Sequence, residues 1–173
     1  VPVIKTHMYT KVTLSIKNMK GCLYRKEKTK LHTLNKEVPD KSKGLVLDYG
    51  IADMARVLLP HYAVIDGIVG MEGFGPAVGT SKALDVVIAS QDALAADLVA
   101  LKLMGMDINY VPHLNLIAEQ RDFIKPLRIK AEPQDFKKYS KTFKPASLDL
   151  LNKQLTNIQI VERGSCSACS ATV

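Results

Sequence analysis

Leu84-Asp85-Val86-Val87-Ile88-Ala89-Ser90-Gln91-Asp92-Ala93-Leu94 sets the fold class, because it passes from an apolar strand straight into a capped helix. Leu84–Ala89 is short and rich in β-branched residues, the pattern of a strand buried on both faces. Ser90 reads as the cap of a helix from Gln91 to Met104, and Gly105 as its stop. Upstream, Tyr62–Val69 reads as a strand, and Leu45–Leu59 as an amphipathic helix. Its apolar stripe is Leu47, Ile51, Met54, Ala55 and Leu58, and Pro60 follows its end. Val1–Lys5 reads as the end of another strand. Over Thr10–Met19 the apolar residues fit both alternation (Val12, Leu14, Ile16) and helical spacing (Val12, Ile16, Met19); a helix ending at Gly21 is preferred. Downstream, a helix is expected over Val111–Glu119, a strand near Leu127–Lys130, a short helix over Leu148–Gln154 and a strand over Ile158–Glu162. Strands alternate with helices, which predicts one α/β domain over residues 1–173, a mostly parallel sheet with helices on both faces.

The composition is that of a globular chain, 47% hydrophobic and 24% charged, which argues against disorder. No apolar run reaches membrane-spanning length and no signal peptide is visible, so a cytoplasmic protein is expected. The chain lacks an initiating Met and ends on Ser170-Ala171-Thr172-Val173, and it reads as a piece of a longer protein, truncated at both ends. The net charge of +7 is unevenly placed. Residues 1–44 hold 11 Lys and Arg against 3 acids, residues 45–120 hold 3 against 9, and residues 121–173 hold 10 against 5. An acidic central block and only 6% aromatic residues make a nucleic-acid surface a poor fit. A basic lobe that attracts a small anion or an acidic partner fits better. Residues 22–44 form a basic loop, many of whose lysines also fit simple solvation.

The polar groups beside the first strand carry the strongest chemical signal. Lys5 and His7 leave a strand end, the part of an α/β domain where ligands are usually bound. Lys17, Asn18, Lys20 and His32 follow within thirty residues. Lysines hold carboxylate or phosphate oxygens by charge, and histidine exchanges a proton or binds a metal near neutral pH. The competing reading is that the lysines are solvated and His7 caps an element. Asp66, closing its strand, is the candidate site carboxylate.

The stretch Gly70-x-x-Gly73-x-Gly75-Pro76-x-x-Gly79 has the glycine density of a phosphate cradle. It joins strand to strand, however, and no Lys-Ser/Thr follows, so it is neither a Walker nor a dinucleotide fingerprint. Gly73 and Gly75, with Glu72, either shape a site edge or serve a structural turn. Asp92, in the first turn of its helix, suits the helix dipole, and Asp97 lies further along. His61 and His113 stand alone and read as structural or exposed. Cys22 also stands alone, whereas Cys166 and Cys169 form a Cys-x-x-Cys that points either to redox or metal chemistry or to two buried thiols. Three cysteines do not suffice for a cubane cluster.

The runs Val3-Ile4-Lys5-Thr6-His7, Thr13-Leu14-Ser15-Ile16-Lys17-Asn18-Met19-Lys20-Gly21, Asp66-Gly67 with the glycine stretch, Ser90-Gln91-Asp92-Ala93-Leu94-Ala95-Ala96-Asp97 and the terminal Cys-x-x-Cys together resemble domain-of-unknown-function family 362. That resemblance implies a prokaryotic cytoplasmic protein of unsettled activity, associated with ferredoxin-like iron–sulfur domains or proteins. The implied partner is therefore a ferredoxin-like domain, with any iron–sulfur cluster held there. A weaker likeness is to the lactate racemase N-terminal domain. It implies a nickel cofactor, with His7 as acid/base, Lys17 as the tethering lysine and His32 as the nickel ligand; Asn18 departs from that pattern. The combined expectation is a metabolic enzyme, an oxidoreductase or isomerase, in which Lys5, Lys20, Asn18, Gly73 and Gly75 bind a small anion while His7, Lys17 and Asp66 act on it. Metal would be held by His32, Cys166 and Cys169. The alternative is a redox partner module working through Cys166 and Cys169.

Overall fold

The structure, a computed structural model, describes residues 1–33, 38–121, 129–147 and 157. In chain order the elements are β1 (Val3–His7), β2 (Lys11–Thr13), α1 (Ser15–Asn18), α2 (Glu27–Thr33), α3 (Val46–Leu58), β3 (Ala63–Phe74), β4 (Val78–Ser90), α4 (Ala93–Leu103) and α5 (Pro112–Gln120). Single 3₁₀ turns lie at Met19–Cys22, Ile108–Tyr110 and Phe136–Tyr139.

The described strands form one sheet in the order β2-β1-β3-β4. Only β1 and β3 run parallel; β1–β2 and β3–β4 are antiparallel. The α/β class holds, but the sheet is mixed rather than mostly parallel. The reason is connection length: three residues separate β3 from β4 and three separate β1 from β2, and such links make only hairpins, since a parallel crossover needs a dozen or more. The glycines expected in a loop continue β3 instead, and its ladder with β4 runs without a break in pairing partners from Val69 to Phe74.

Burial alternates along β4, with Leu84 and Ile88 inside and Asp85, Val87 and Ala89 outside. This strand is therefore covered on one face, not two. α4 lies on β3 and β4. Among the described residues the outer face of these two strands is bare and carries Val69 and Val87, 51% and 60% exposed. The core joins Ile4, Ile65, Leu84 and Ile88 of the sheet to Ile51, Leu94, Leu101 and Leu114 of the helices, with Phe143 inserted beside them.

Local expectations shift in three places. The single helix expected over Thr10–Met19 is instead β2 followed by a four-residue α1, because Lys11–Thr13 pairs with Lys5–His7. The basic loop contains α2. Asp92, not Ser90, caps α4: its side chain accepts from the N–H groups of Leu94 and Ala95, while Ser90 accepts from Asp92 N–H. The elements expected at Leu148–Gln154 and Ile158–Glu162, and half of that near Leu127–Lys130, lie outside the described residues.

The end of β3 is fastened tightly to β1. Thr6 hydroxyl donates to Gly73 carbonyl at 2.8 Å, and Met8 N–H donates to Gly75 carbonyl at 3.2 Å. Gly73 takes φ +84°, and a Cβ on Gly75 would stand 1.9 Å from the Thr6 carbonyl oxygen. Gly75→Ala is expected to destabilise the fold by about 2–4 kcal/mol in a chemical denaturation series. Gly21→Ala, whose Cβ meets nothing within 4 Å, should stay within about 0.5 kcal/mol of wild type.

Candidate functional site

His7 is the last residue of β1 and is 7% exposed. The chain then doubles back into β2, so that Tyr9 and Thr10 N–H groups donate to His7 Nδ1 at 3.1 and 3.3 Å. A nitrogen that accepts two hydrogen bonds carries no proton, which places the proton of the neutral ring on Nε2. Burial lowers the His7 pKa first, and Lys17, Lys20, His113 and His32 lower it further, to about 3. His7 is thus a neutral imidazole throughout the physiological range, a donor through Nε2–H.

β2 leads directly into α1, which carries Lys17. Its ammonium donates to Thr13 hydroxyl at 3.4 Å and makes no ion pair among the described residues. Burial, then the charges of Lys20 and Lys5, lower its pKa to about 7, with Asp48 opposing. Lys20, in the turn after α1, contacts His32 Nε2 of α2. Burial lowers the pKa of both groups; Lys28 adds to this at Lys20, and Lys20 and Lys17 add to it at His32. Behind the cluster, His113 of α5 and Asp48 of α3 are each 1% exposed. Their Nδ1 and Oδ1 stand 3.4 Å apart, a long contact, and neither atom has a hydrogen-bond partner. The other Asp48 oxygen accepts from Leu45 N–H.

Lys5, His7, Lys17, Lys20 and His32 therefore share one electrostatic neighbourhood at the carboxyl end of β1. The remaining expected residues lie elsewhere. Asp66 pairs with Val3 at the far end of β1, and its carboxylate accepts from Ile68 N–H. Asn18 is exposed. The N–H groups of Gly73 and Gly75 are taken by Lys144 and Gly73 carbonyls, so neither is free to cradle an anion. Glu72 pairs with Lys82 at 2.9 Å and accepts from Lys144 N–H, fastening the chain across the end of β3. Cys166 and Cys169 lie outside the described residues, and Cys22 is exposed. Sequence reasoning sets His113 aside and passes over Asp48, since neither sits in a local motif and only tertiary packing brings them behind Lys17.

The described donors do not by themselves make a metal site, and Cys166 and Cys169 lie outside the described residues. Among the described residues no three His, Cys, Asp or Glu side chains are grouped to hold an ion, and His32 Nε2 is already engaged by Lys20. No nickel step is derived for this site.

Residues 1–102 match the family described as Domain of unknown function (DUF362). The chain belongs to that family. A curated relative, the thylakoid-associated protein sll1697 of Synechocystis sp., is 28% identical over 126 residues, which is 72% of this chain and 37% of the relative. The chain thus spans little more than a third of that relative's length. No solved structure matches. Among the described residues no helix is long and apolar enough to cross a membrane.

α1 is held in place by a carboxylate from α4. Asp97, with no exposure, accepts from Ser15 N–H at 2.8 Å, Ser15 hydroxyl at 2.6 Å and Ile16 N–H at 3.1 Å. Burial outweighs these bonds and raises its pKa from 3.8 to about 7. A raised acid favours the fold while protonated, so its contribution is complete below about pH 4 and fades as pH climbs through 7. Urea midpoints measured from pH 5 to 8 should fall for wild type, and Asp97→Asn should flatten that fall. An unchanged slope in the variant would assign the trend to other groups.

Proposed function

We propose that side chains at the carboxyl end of β1 bind a small anionic metabolite and move a proton on it. The carrying observation is a half-buried group of cations without a paired carboxylate: Lys17 lies beside Lys5 and Lys20, and its only described hydrogen bond is the long one to Thr13. Like charges in a low-dielectric setting repel strongly, and an anion placed among them removes that repulsion while gaining attraction of its own.

The roles follow from protonation. Lys20, backed by Lys5, grips the anion. His7 Nε2–H donates to an oxygen on which negative charge develops, the function of a preorganised donor. Lys17, with its pKa near 7, exchanges protons at neutral pH, which His7 with its pKa near 3 does not. Asp66, Asn18, Gly73 and Gly75 take no part in this reading. The redox-module alternative rests on Cys166 and Cys169, outside the described residues.

Sulfate is a suitable probe because its charge is constant from pH 6 to 9. Lys17 titrates near 7 in the fold and at 10.5 when free, so the fold carries the full cost of its charge below pH 7 and escapes it progressively toward 10.5. An anion has most to relieve at low pH. Millimolar sulfate, compared with chloride at equal ionic strength, should raise Tm by a few degrees at pH 6 and by less than half as much at pH 9. Lys17→Met should abolish the difference, and its own Tm at pH 6 should match or exceed that of wild type, since the cost of the buried charge is gone. Equal sulfate responses in wild type and variant would overturn the reading.

A further inference from the structure

The placement of the Lys17 amine points beyond charge pairing to a covalent role, one that rests on the anion-binding reading. We propose that Lys17 is a carbonyl nucleophile that forms an imine with a small 2-oxo carboxylate.

Three observations converge. First, no carboxylate holds a proton on Lys17 Nζ: among the described residues it makes no ion pair, and its one hydrogen bond, at 3.4 Å, is long. A lysine clamped in a tight ion pair stays an ammonium, and an ammonium has no lone pair to offer. Second, Lys17 is half-buried, and the like charges of Lys20 and Lys5 act on it there. This is the environment that frees a lysine amine for attack on carbonyls. Lys20 is less suited, because its own Nζ is engaged with His32. Third, the surrounding groups match the rest of such a substrate. The flanking ammonium groups suit a carboxylate one bond from the carbonyl, and His7 Nε2–H is a neutral donor for the carbonyl oxygen.

The step balances without an oxidant or reductant. The Nζ lone pair forms a bond to the carbonyl carbon while the π electrons move to oxygen, toward His7 Nε2–H. A proton passes from nitrogen to that oxygen, giving a carbinolamine. A second proton, taken from solvent in place of the one the ammonium released to become the free amine, goes to the hydroxyl and lets water leave as the nitrogen lone pair forms the C=N bond. The products are a protonated imine on Lys17 and one water molecule. The cationic imine then draws electrons from the neighbouring carbon, which is the chemistry by which a 2-oxo acid loses a proton from the carbon next to its carbonyl.

The test is reductive trapping. The chain is incubated at pH 7 with pyruvate and cyanoborohydride, and adducts are located by peptide mapping at short times. Lys17 should be modified at least about tenfold faster than surface lysines such as Lys102, as expected for an activated amine. Lys17→Arg should lose the adduct, Lys20→Met should slow it, and acetone, which lacks the carboxylate, should label Lys17 more slowly than pyruvate does. Even labelling across the lysines would overturn the imine. If sulfate still raised Tm through Lys17 in that case, the anion site would stand without it. Acetone labelling as fast as pyruvate would overturn the carboxylate grip.

Discussion

The seat that Asp97 makes for α1 is the constraint on which the rest of the site depends. A helix of four residues has no stability of its own, because nucleation costs more than so few bonds return. α1 exists because a carboxylate from α4, about eighty residues later in the chain, satisfies the first two N–H groups of the turn and the Ser15 hydroxyl. Burying that carboxylate is costly, and three accepted hydrogen bonds offset only part of the cost. With the first turn fixed, Lys17 is held next to Thr13 and within the field of His7. Remove the seat and Lys17 has no fixed position, whatever the strands do.

The cations gathered there oppose folding. Lys20 depresses Lys17, both depress His7 and His32, and burial keeps solvent ions from screening them. A sequence selected only for stability would place a carboxylate between them, as it does at Glu72 and Lys82 on the other side of β1. The same molecule thus shows both solutions: a paired, half-buried ion pair where the task is to fasten a strand, and an unpaired group of bases at the strand end. Local departures from stability rules concentrate at functional sites, and this is the departure that the described residues display most clearly.

Much of this is legible in the sequence, and the limits have physical causes. The helix over residues 46–58 follows from its apolar stripe and from Pro60. That His7 and Lys17 belong together is suggested by their types and short separation, but the tight return and short helix between them are hidden by apolar residues that fit helical spacing as well as alternation. The sheet's direction is obscured because the glycine stretch has the composition of a loop, whereas Gly70 and Gly73 lie within β3, Gly70 under the close approach of Phe143 and Gly73 at a φ of +84°. Leu84–Ala89 looks doubly buried because β-branched residues fill both of its faces, although only Leu84, Val86 and Ile88 face the core. Asp97, Asp48 and His113 carry no local signature at all. Their roles come from packing between elements distant in sequence, which no spacing rule reports.

The two walls of the site differ in firmness. The β1 wall is held from both sides, by the β2 ladder and by the bonds from Thr6 and Met8 to Gly73 and Gly75, and Gly73 is tied in turn to Lys144. The α2 wall is mostly exposed and contributes only Leu31 and His32 in half-buried positions. Segments with little buried apolar surface open at low cost, whereas strands fastened within a core open only with the whole fold. The donor His7 therefore belongs to the rigid half and His32 to the yielding half, with Lys17 and Lys20 between them on a turn that Asp97 secures. This division keeps the hydrogen-bond donor fixed while the cations nearest α2 keep room to adjust.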